Sequence, residues 1–325
     1  MFTWRRLGKV FTPQEVTGRP WMAEFAQAPA TLVLDDVVRV YISTRPPRDA
    51  QGQYVSYTGW VDLDRSNLTS VVRVALEPIL PLGGLGAFDE FGTYPVSVIR
   101  DDDGLVRAYY GGWTRCESVP YDVAIGLATS SDDGVSFTPR GVGPLLARSL
   151  TEPMTISGPK VRRFDGQWHL WYVAGTKWKV VDGRPESVFK IRHATSADGI
   201  TWDRSGETVI PDVLEADECQ ASPDVFRLGD RYHMLFSAKY SWGFRNGDRG
   251  YRLGYAWSAD LVHWERDDAH AGLEPAGGDE WDGQALAYPH VFDVDGRVYM
   301  AYLGNDVGRD GFGLAELDQH VADAR

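Results

Sequence analysis

Apolar and polar positions alternate with a period of two along most of this chain, and helical spacing is almost absent. Five stretches carry the alternation most clearly. In order they read APATLVLDDVVRVYIS, YPVSVIRDDDGLVRAYY, GPKVRRFDGQWHLWYV, SPDVFRLGDRYHMLFS and YPHVFDVDGRVYMAYL. Each has two alternating arms around a turn rich in Asp and Gly, which is the pattern of a β-hairpin. A proline near the head of each stretch marks the period: Pro29, Pro95, Pro159, Pro223 and Pro289, with gaps of 66, 64, 64 and 66 residues. Five repeats of about 65 residues account for all 325.

A third strand follows each of three hairpins, in VAIGLATSSDDGVSF, FKIRHATSADGITW and YRLGYAWSADLVHW. In the second of these, Ser196, Asp198, Gly199 and Trp202 form a turn. Ser and Asp bond the turn backbone, Gly permits positive φ, and the indole packs between repeats. Small repeated sheets bury their faces against one another, and radial closure solves that problem without long free edges. The expected fold is therefore an all-β five-bladed β-propeller, with residues 1–325 as one domain. The last repeat is short of strands after FGLAEL, so residues 1–20 are expected to complete it and close the ring. The tail AELDQHVADAR reads as a short helix or a frayed end.

Composition narrows the field of partners. A formal net charge of −13 disfavours nucleic acid, and no apolar run reaches the 18 residues of a membrane span. The start, MFTWRRLGKVFTPQEV, lacks the apolar core of a secretory signal, and two cysteines do not make a disulfide framework. A cytoplasmic location is the expectation. Cys116 and Cys219 each neighbour an acid, which disfavours a nucleophilic thiolate. The histidines show no metal-binding spacing, and no phosphate-binding glycine loop or nucleophile elbow occurs. No cofactor or metal is expected.

Charged residues recur in register with the prolines. Glu24, Glu90 and Glu218 each lie five residues before theirs; Glu152 and Asp282 lie seven before. Each repeat thus offers a carboxylate at the entry to its innermost strand, and in a propeller those entries surround one mouth of the channel. Crowded carboxylates raise one another's pKa, which suits a general acid. Solvated or amide-bound loop acids would share that position. A set of cations follows the hairpins: Arg45, Arg115, Lys177, Lys239 and, in looser register, Arg309. These suit either structural ion pairs or an anionic substrate group. Trp113, Tyr121, Trp178, Tyr240 and Trp242 lie among them, with Tyr94 and Tyr288 beside prolines. Aromatic faces with Gln27, Gln220 and Gln284 suit a sugar's ring and hydroxyls, although blade packing accounts for most aromatics. His290, next to Pro289, falls near the channel.

The run WMAEFAQAPATLV resembles the WMNDP motif of invertase-type β-fructosidases, and ADECQASPDVF resembles their WECPDLF motif. The repeat is similar to that of the wider superfamily of five-bladed propeller glycosidases, which includes arabinofuranosidases, xylosidases and mannoside phosphorylases. The resemblance covers nearly the whole chain. It departs at the acids: Ala28 stands where that superfamily has Asp before the first proline, Ser157-Gly158-Pro159 replaces Arg-Asp-Pro, and Ala221 occupies the fourth-blade acid position. Together the residues and the resemblance imply a small-molecule carbohydrate or glycoside substrate, and an enzyme that cleaves or transfers its glycosidic bond. Glu218 is expected as general acid, with Glu24 or Glu90 as base or nucleophile. The substrate would be held by Arg45, Arg115, Lys177, Lys239, Glu152, Asp282, Gln27, Gln220, Trp113, Trp178, Tyr240 and His290. Two alternatives stay open: a glycoside phosphorylase using inorganic phosphate, and a sugar-binding propeller without turnover or one repurposed for different chemistry.

Overall fold

The computed structural model describes residues 2–320. The chain opens with β1 (Phe2–Phe11) and then forms four antiparallel sheets in turn. Blade one contains β2 (Glu24–Val33), β3 (Val37–Arg45), β4 (Tyr57–Asp64) and β5 (Asn67–Val74). Blade two contains β6 (Gly92–Arg100), β7 (Val106–Thr114), β8 (Asp122–Ser130) and β9 (Thr138–Pro139). Blade three contains β10 (Ile156–Phe164), β11 (Gln167–Val181), β12 (Arg184–Ser196) and β13 (Asp203–Arg204). Blade four contains β14 (Cys219–Leu228), β15 (Arg231–Lys239), β16 (Arg252–Ser258) and β17 (Glu265–Arg266). Blade five joins β18 (Ala287–Val294), β19 (Arg297–Leu303) and β20 (Phe312–His320) to β1.

The first strand of each blade is innermost, and β2, β6, β10, β14 and β18 pack in a closed circle. The N-terminal strand closes that circle as expected: β1 supplies the outermost strand of blade five, with Phe2 and Trp4 buried. The expectation for the tail is corrected. Phe312–His320 is a strand because it lies between β19 and β1, which satisfy its backbone on both edges. The last five residues lie outside the described region.

Each repeating proline interrupts the register of its strand. The breaks fall between Gln27 and Ala30, Thr93 and Val96, Ser157 and Lys160, Ala221 and Asp224, and Ala287 and His290. Proline has no amide hydrogen to give the ladder, so a bulge is where an inner strand tolerates it. The residue before the proline turns left-handed in four blades, with φ of 51° at Ala28, 61° at Gly158, 47° at Ser222 and 54° at Tyr288. Glycine meets that need without penalty at Gly158; the other three carry a Cβ there. In blade two the Tyr94–Pro95 peptide is cis instead.

The Ser-x-Asp turns join neighbouring blades. Ser196 Oγ accepts the Gly199 amide at 2.9 Å, and Asp198 Oδ1 accepts those of Ile200 and Thr201 at 2.8 Å. The Gly199 carbonyl then accepts the Tyr109 hydroxyl of blade two at 2.8 Å, just as Gly134 accepts Tyr41 of blade one. These turns are structural joints.

One or two residues beyond each proline, a polar side chain fills the middle of the ring: Thr31, Ser97, Lys160, Asp224 and His290, all buried. Asp224 accepts Arg162 Nη2 at 2.6 Å and the Val291 amide at 2.5 Å, and lies 3.1 Å from His290 Nδ1. The Thr31 amide donates to His290 Nε2 at 2.9 Å, so that nitrogen accepts and Nδ1 carries the proton toward Asp224. Lys160 Nζ reaches the Pro29 carbonyl at 3.3 Å. Burial opposes charge on Asp224, but Arg162, His290 and Lys160 outweigh it and hold the carboxyl far below the usual range.

Candidate functional site

The recurring acids do not face one another across the channel. Glu152, Glu218 and Asp282 are folded into their own blades, where a cation or a tyrosine from another strand of that blade meets each. Glu152 accepts the Tyr172 hydroxyl of β11 at 2.6 Å and pairs with Arg204 of β13 at 2.9 Å. Asp282 accepts Tyr302 of β19 and Arg6 of β1, each at 2.9 Å. Glu218 receives Arg266 of β17 at 2.6 Å and the amides of Val213 and Leu214 at 2.7 Å. It is fully buried and does not line the cavity described below, so a general-acid role does not fit its place.

In blade two the equivalent lock uses Asp89, which accepts the Tyr110 hydroxyl at 3.0 Å, rather than Glu90. Glu90 instead accepts the Gly86 amide within its loop. Glu24 sits at the rim, accepting Tyr54 Oη at 2.8 Å with Arg309 at 3.5 Å. The reason for this arrangement is positional. Glu152, Glu218 and Asp282 precede the bulge that turns side chains toward the axis, so they point into the blade's own seam.

The cations divide. Arg45 and Arg115 line a cavity of about 810 Å³ at one mouth of the channel, and so do Lys239 and Arg309. Lys177 does not; it is half exposed and pairs with Asp217 at 2.6 Å. Gln27 and Trp113 also line the cavity; Gln220 does not, and its amide binds the carbonyls of Ile210 and Pro211. Trp178 packs edge-on against Tyr121, and Tyr240 lies under Arg249, both outside the lining. His290 belongs to the axial network beneath the cavity rather than to its wall. Burial pushes His290 down to about 4.

The floor of the cavity is tyrosine. Tyr94 Oη donates to Tyr288 Oη at 2.6 Å, Tyr251 packs beside Tyr288, and burial holds the Tyr94 and Tyr251 phenols well above their ordinary range. Tyr94, Gly158, Ser222 and Tyr288 are pre-proline residues, so the bulge that the prolines mark aims backbone and side chains at this space. No carboxylate stands at those positions. Among the described residues six cations line the wall, Arg45, Arg48, Arg115, Lys239, Arg245 and Arg309, against two carboxylates, Glu186 and Asp306. In a chain of net charge −13 the cavity inverts the sign of the whole. Arg115 is offset by Asp49 at 3.1 Å. Among the described residues Arg45 and Lys239 have no carboxylate within ion-pair distance, and burial lowers the pKa of both.

Several lining residues escaped sequence reasoning: Phe189, at the head of the third strand of its repeat, and Tyr54, Glu186, Phe244 and Arg245, which lie outside the repeat. Glu186 and Phe189 come from the β11–β12 hairpin, which outruns the other blades. Its Asp182-Gly183 turn, at φ of 49° and 75°, was the available sequence signal. Among the described residues no group of three or more His, Cys, Asp or Glu gathers as a metal site, and no helix is long and apolar enough to cross a membrane.

This architecture defines the molecule as a five-bladed β-propeller of the glycoside-hydrolase-like fold. A solved glycoside hydrolase superposes with a TM-score of 0.75 at 19% identity, covering 100% of this chain and 94% of the other. A family-43 glycoside hydrolase described as thermostable gives 0.65 at 16% identity, covering 97% and 95%. A structure from a family of mannoside phosphorylases, described as containing glycoside hydrolases that target β-1,2-mannosidic linkages in Candida mannan, gives 0.69 at 15% identity, covering 100% and 97%. No protein-family model matches the chain. In sequence it is 31% identical over 316 residues to the uncharacterized protein Rv1502 of Mycobacterium tuberculosis, covering 97% of this chain and 99% of that one. The chain belongs to the same family as that mycobacterial protein.

Proposed function

We propose that the protein is a carbohydrate-active enzyme whose cavity takes a sugar together with an oxyanion of the phosphate or carboxylate class. The observation that carries the reading is the basic, aromatic-walled cavity, with half-buried Arg45 and buried Lys239 lacking carboxylate partners among the described residues. Leaving such cations unpaired costs stability, and an incoming anion offsets that cost. Aromatic rings supply the flat faces a sugar needs, and about 810 Å³ accommodates a ligand of that size.

Hydrolysis by paired carboxylates requires two acids flanking the bond. The wall offers Glu186, and an exposed Asp306 whose Oδ1 accepts Asn246 at 2.8 Å. Transfer of a glycosyl group to an oxyanion needs only one acid from the protein. The oxyanion oxygen bonds to the anomeric carbon, the glycosidic C–O bond breaks, and Glu186 gives its proton to the departing oxygen. Glycosides incubated with the protein are expected to release sugar phosphate only when phosphate is supplied. Glu186→Gln should lower that rate on the order of a hundredfold. Turnover independent of phosphate, or full activity in the variant, would reject this chemistry.

A second reading is favoured by one observation: Ala28, Gly158 and Ser222 leave the pre-proline positions without acids. A binding propeller would retain a phosphorylated sugar without converting it.

A further inference from the structure

We infer that the cavity contains two oxyanion subsites on opposite walls, so that its ligand carries an anionic group at each end. This rests on the anionic-ligand reading above and adds to it the number and placement of the charges.

One wall belongs to blades one and two. Arg45 leaves the end of β3 and lies over Phe25 at 4.5 Å and Tyr54 at 5.0 Å. It gives one N–H to Gln27 Oε1 at 3.1 Å, and the remaining face of the fork borders the cavity. Arg115, from the loop after β7, donates to the Tyr54 carbonyl at 2.9 Å and so fixes the same tyrosine.

The other wall belongs to blade four. Lys239 ends β15 and is 3% exposed, with Nζ 3.4 Å from the centre of the Phe244 ring. Its neighbours are that ring, Phe189, Tyr251 and the Cys219 thiol; Glu186 acts on it through space from beyond ion-pair distance. Arg245 approaches the same phenylalanine at 5.2 Å. The inner strand of blade four packs on those of blades three and five: β14 packs on β10 and β18, while β2 packs on β6 and β18. The tyrosine floor therefore lies between two cationic centres that arise from opposite arcs of the ring.

Half-buried Arg45 and buried Lys239 lose water at separate places, so one small anion neutralises only one of them. A cavity of about 810 Å³ is several times larger than a phosphate needs. A sugar ring over Tyr94 and Tyr288, with an oxyanion reaching Arg45 on one side and Lys239 on the other, occupies the space and pairs both charges. Rigid guanidinium geometry suits a bidentate contact at the first wall, and an ammonium acts as a point charge at the second.

Calorimetric titration with a hexose, its monophosphate and its bisphosphate tests this. For the unaltered protein the bisphosphate is expected to bind about tenfold or more tightly than the monophosphate. Arg45→Gln and Lys239→Met should each weaken the bisphosphate by about tenfold, to the level of the monophosphate. Unfolding midpoints monitor structure; should Arg45→Gln fail to fold, Arg45→Lys keeps the charge and still loses the bidentate contact. Equal affinity for the two phosphates, with only one of the two variants affecting either, would overturn the paired subsites and leave the anionic-ligand reading intact. Phosphates binding no better than the hexose would overturn both.

Discussion

Two sets of charges repeat with the blades, and they meet opposite fates. The acids Glu152, Glu218 and Asp282 enter the seams of their blades, where Arg204, Arg266 and Arg6 wait on the outermost strands. The cations Arg45 and Lys239 leave the second strands at the cavity mouth and meet aromatic rings instead of carboxylates. Equal regularity in the sequence therefore marks equal position in a blade, and says nothing of purpose. The partner decides: a charge whose partner is built in stabilises the protein, while one left without a partner is available to a ligand.

The largest expected effect breaks the acid side of that contrast. Glu218→Gln leaves Arg266, itself 2% exposed, with Asp268 as its remaining carboxylate partner among the described residues and removes the buried half of the triad. Loss of one member of a buried pair should cost about 3 kcal/mol, read as a fall in the urea midpoint at unchanged slope. An unchanged midpoint with lost turnover would restore Glu218 to the chemistry. Asp282→Asn should also destabilise, and by less, because Arg6 remains one-third exposed and Tyr302 still has an oxygen to meet.

Acid exposes the same dependence through the histidines. Burial, with His169 nearby for one and Lys160 for the other, pushes both His193 and His290 down to about 4 from 6.5. The unfolded chain therefore binds more protons between those values, and stability falls as pH drops from about 6.5 toward 4. The slope approaches about 1.4 kcal/mol per pH unit for each group at its steepest. Denaturant titrations across that range check it, and His193→Gln should flatten the curve; an unaltered curve would remove His193 from the account.

The smallest effect falls on the cation that shares the register without the setting. Lys177→Ala removes a half-exposed ion pair with Asp217 outside the cavity. Screened surface pairs contribute little, so both unfolding midpoint and phosphosugar affinity should stay within error. A loss of affinity comparable with that of Lys239→Met would mean that the cavity extends along the β11–β12 hairpin.

The period of the prolines, the hairpins and the missing outer strand of the last blade were all legible in the chain, because alternation and turn chemistry are local. Arg45 and Lys239, each 16 residues after its proline, reach the cavity wall, as do Arg115, Trp113 and Gln27 at other offsets, because all lie near the strand ends that the bulged prolines mark. Glu218 was misread because its offset tells where the backbone lies and not which way the side chain faces. Tyr54, Glu186 and Phe244 were missed because they come from insertions that keep no period.

The sequence by itself determined the number of blades, the way the ring closes and the residue types available at its mouth, since each follows from patterns within about 65 residues. Only the tertiary structure decided which charges are neutralised inside a blade and which face open space. That choice depends on side chains that the strands of a blade bring together over a gap of dozens of residues, and electrostatic pairing acts over a few ångströms of space rather than along the chain.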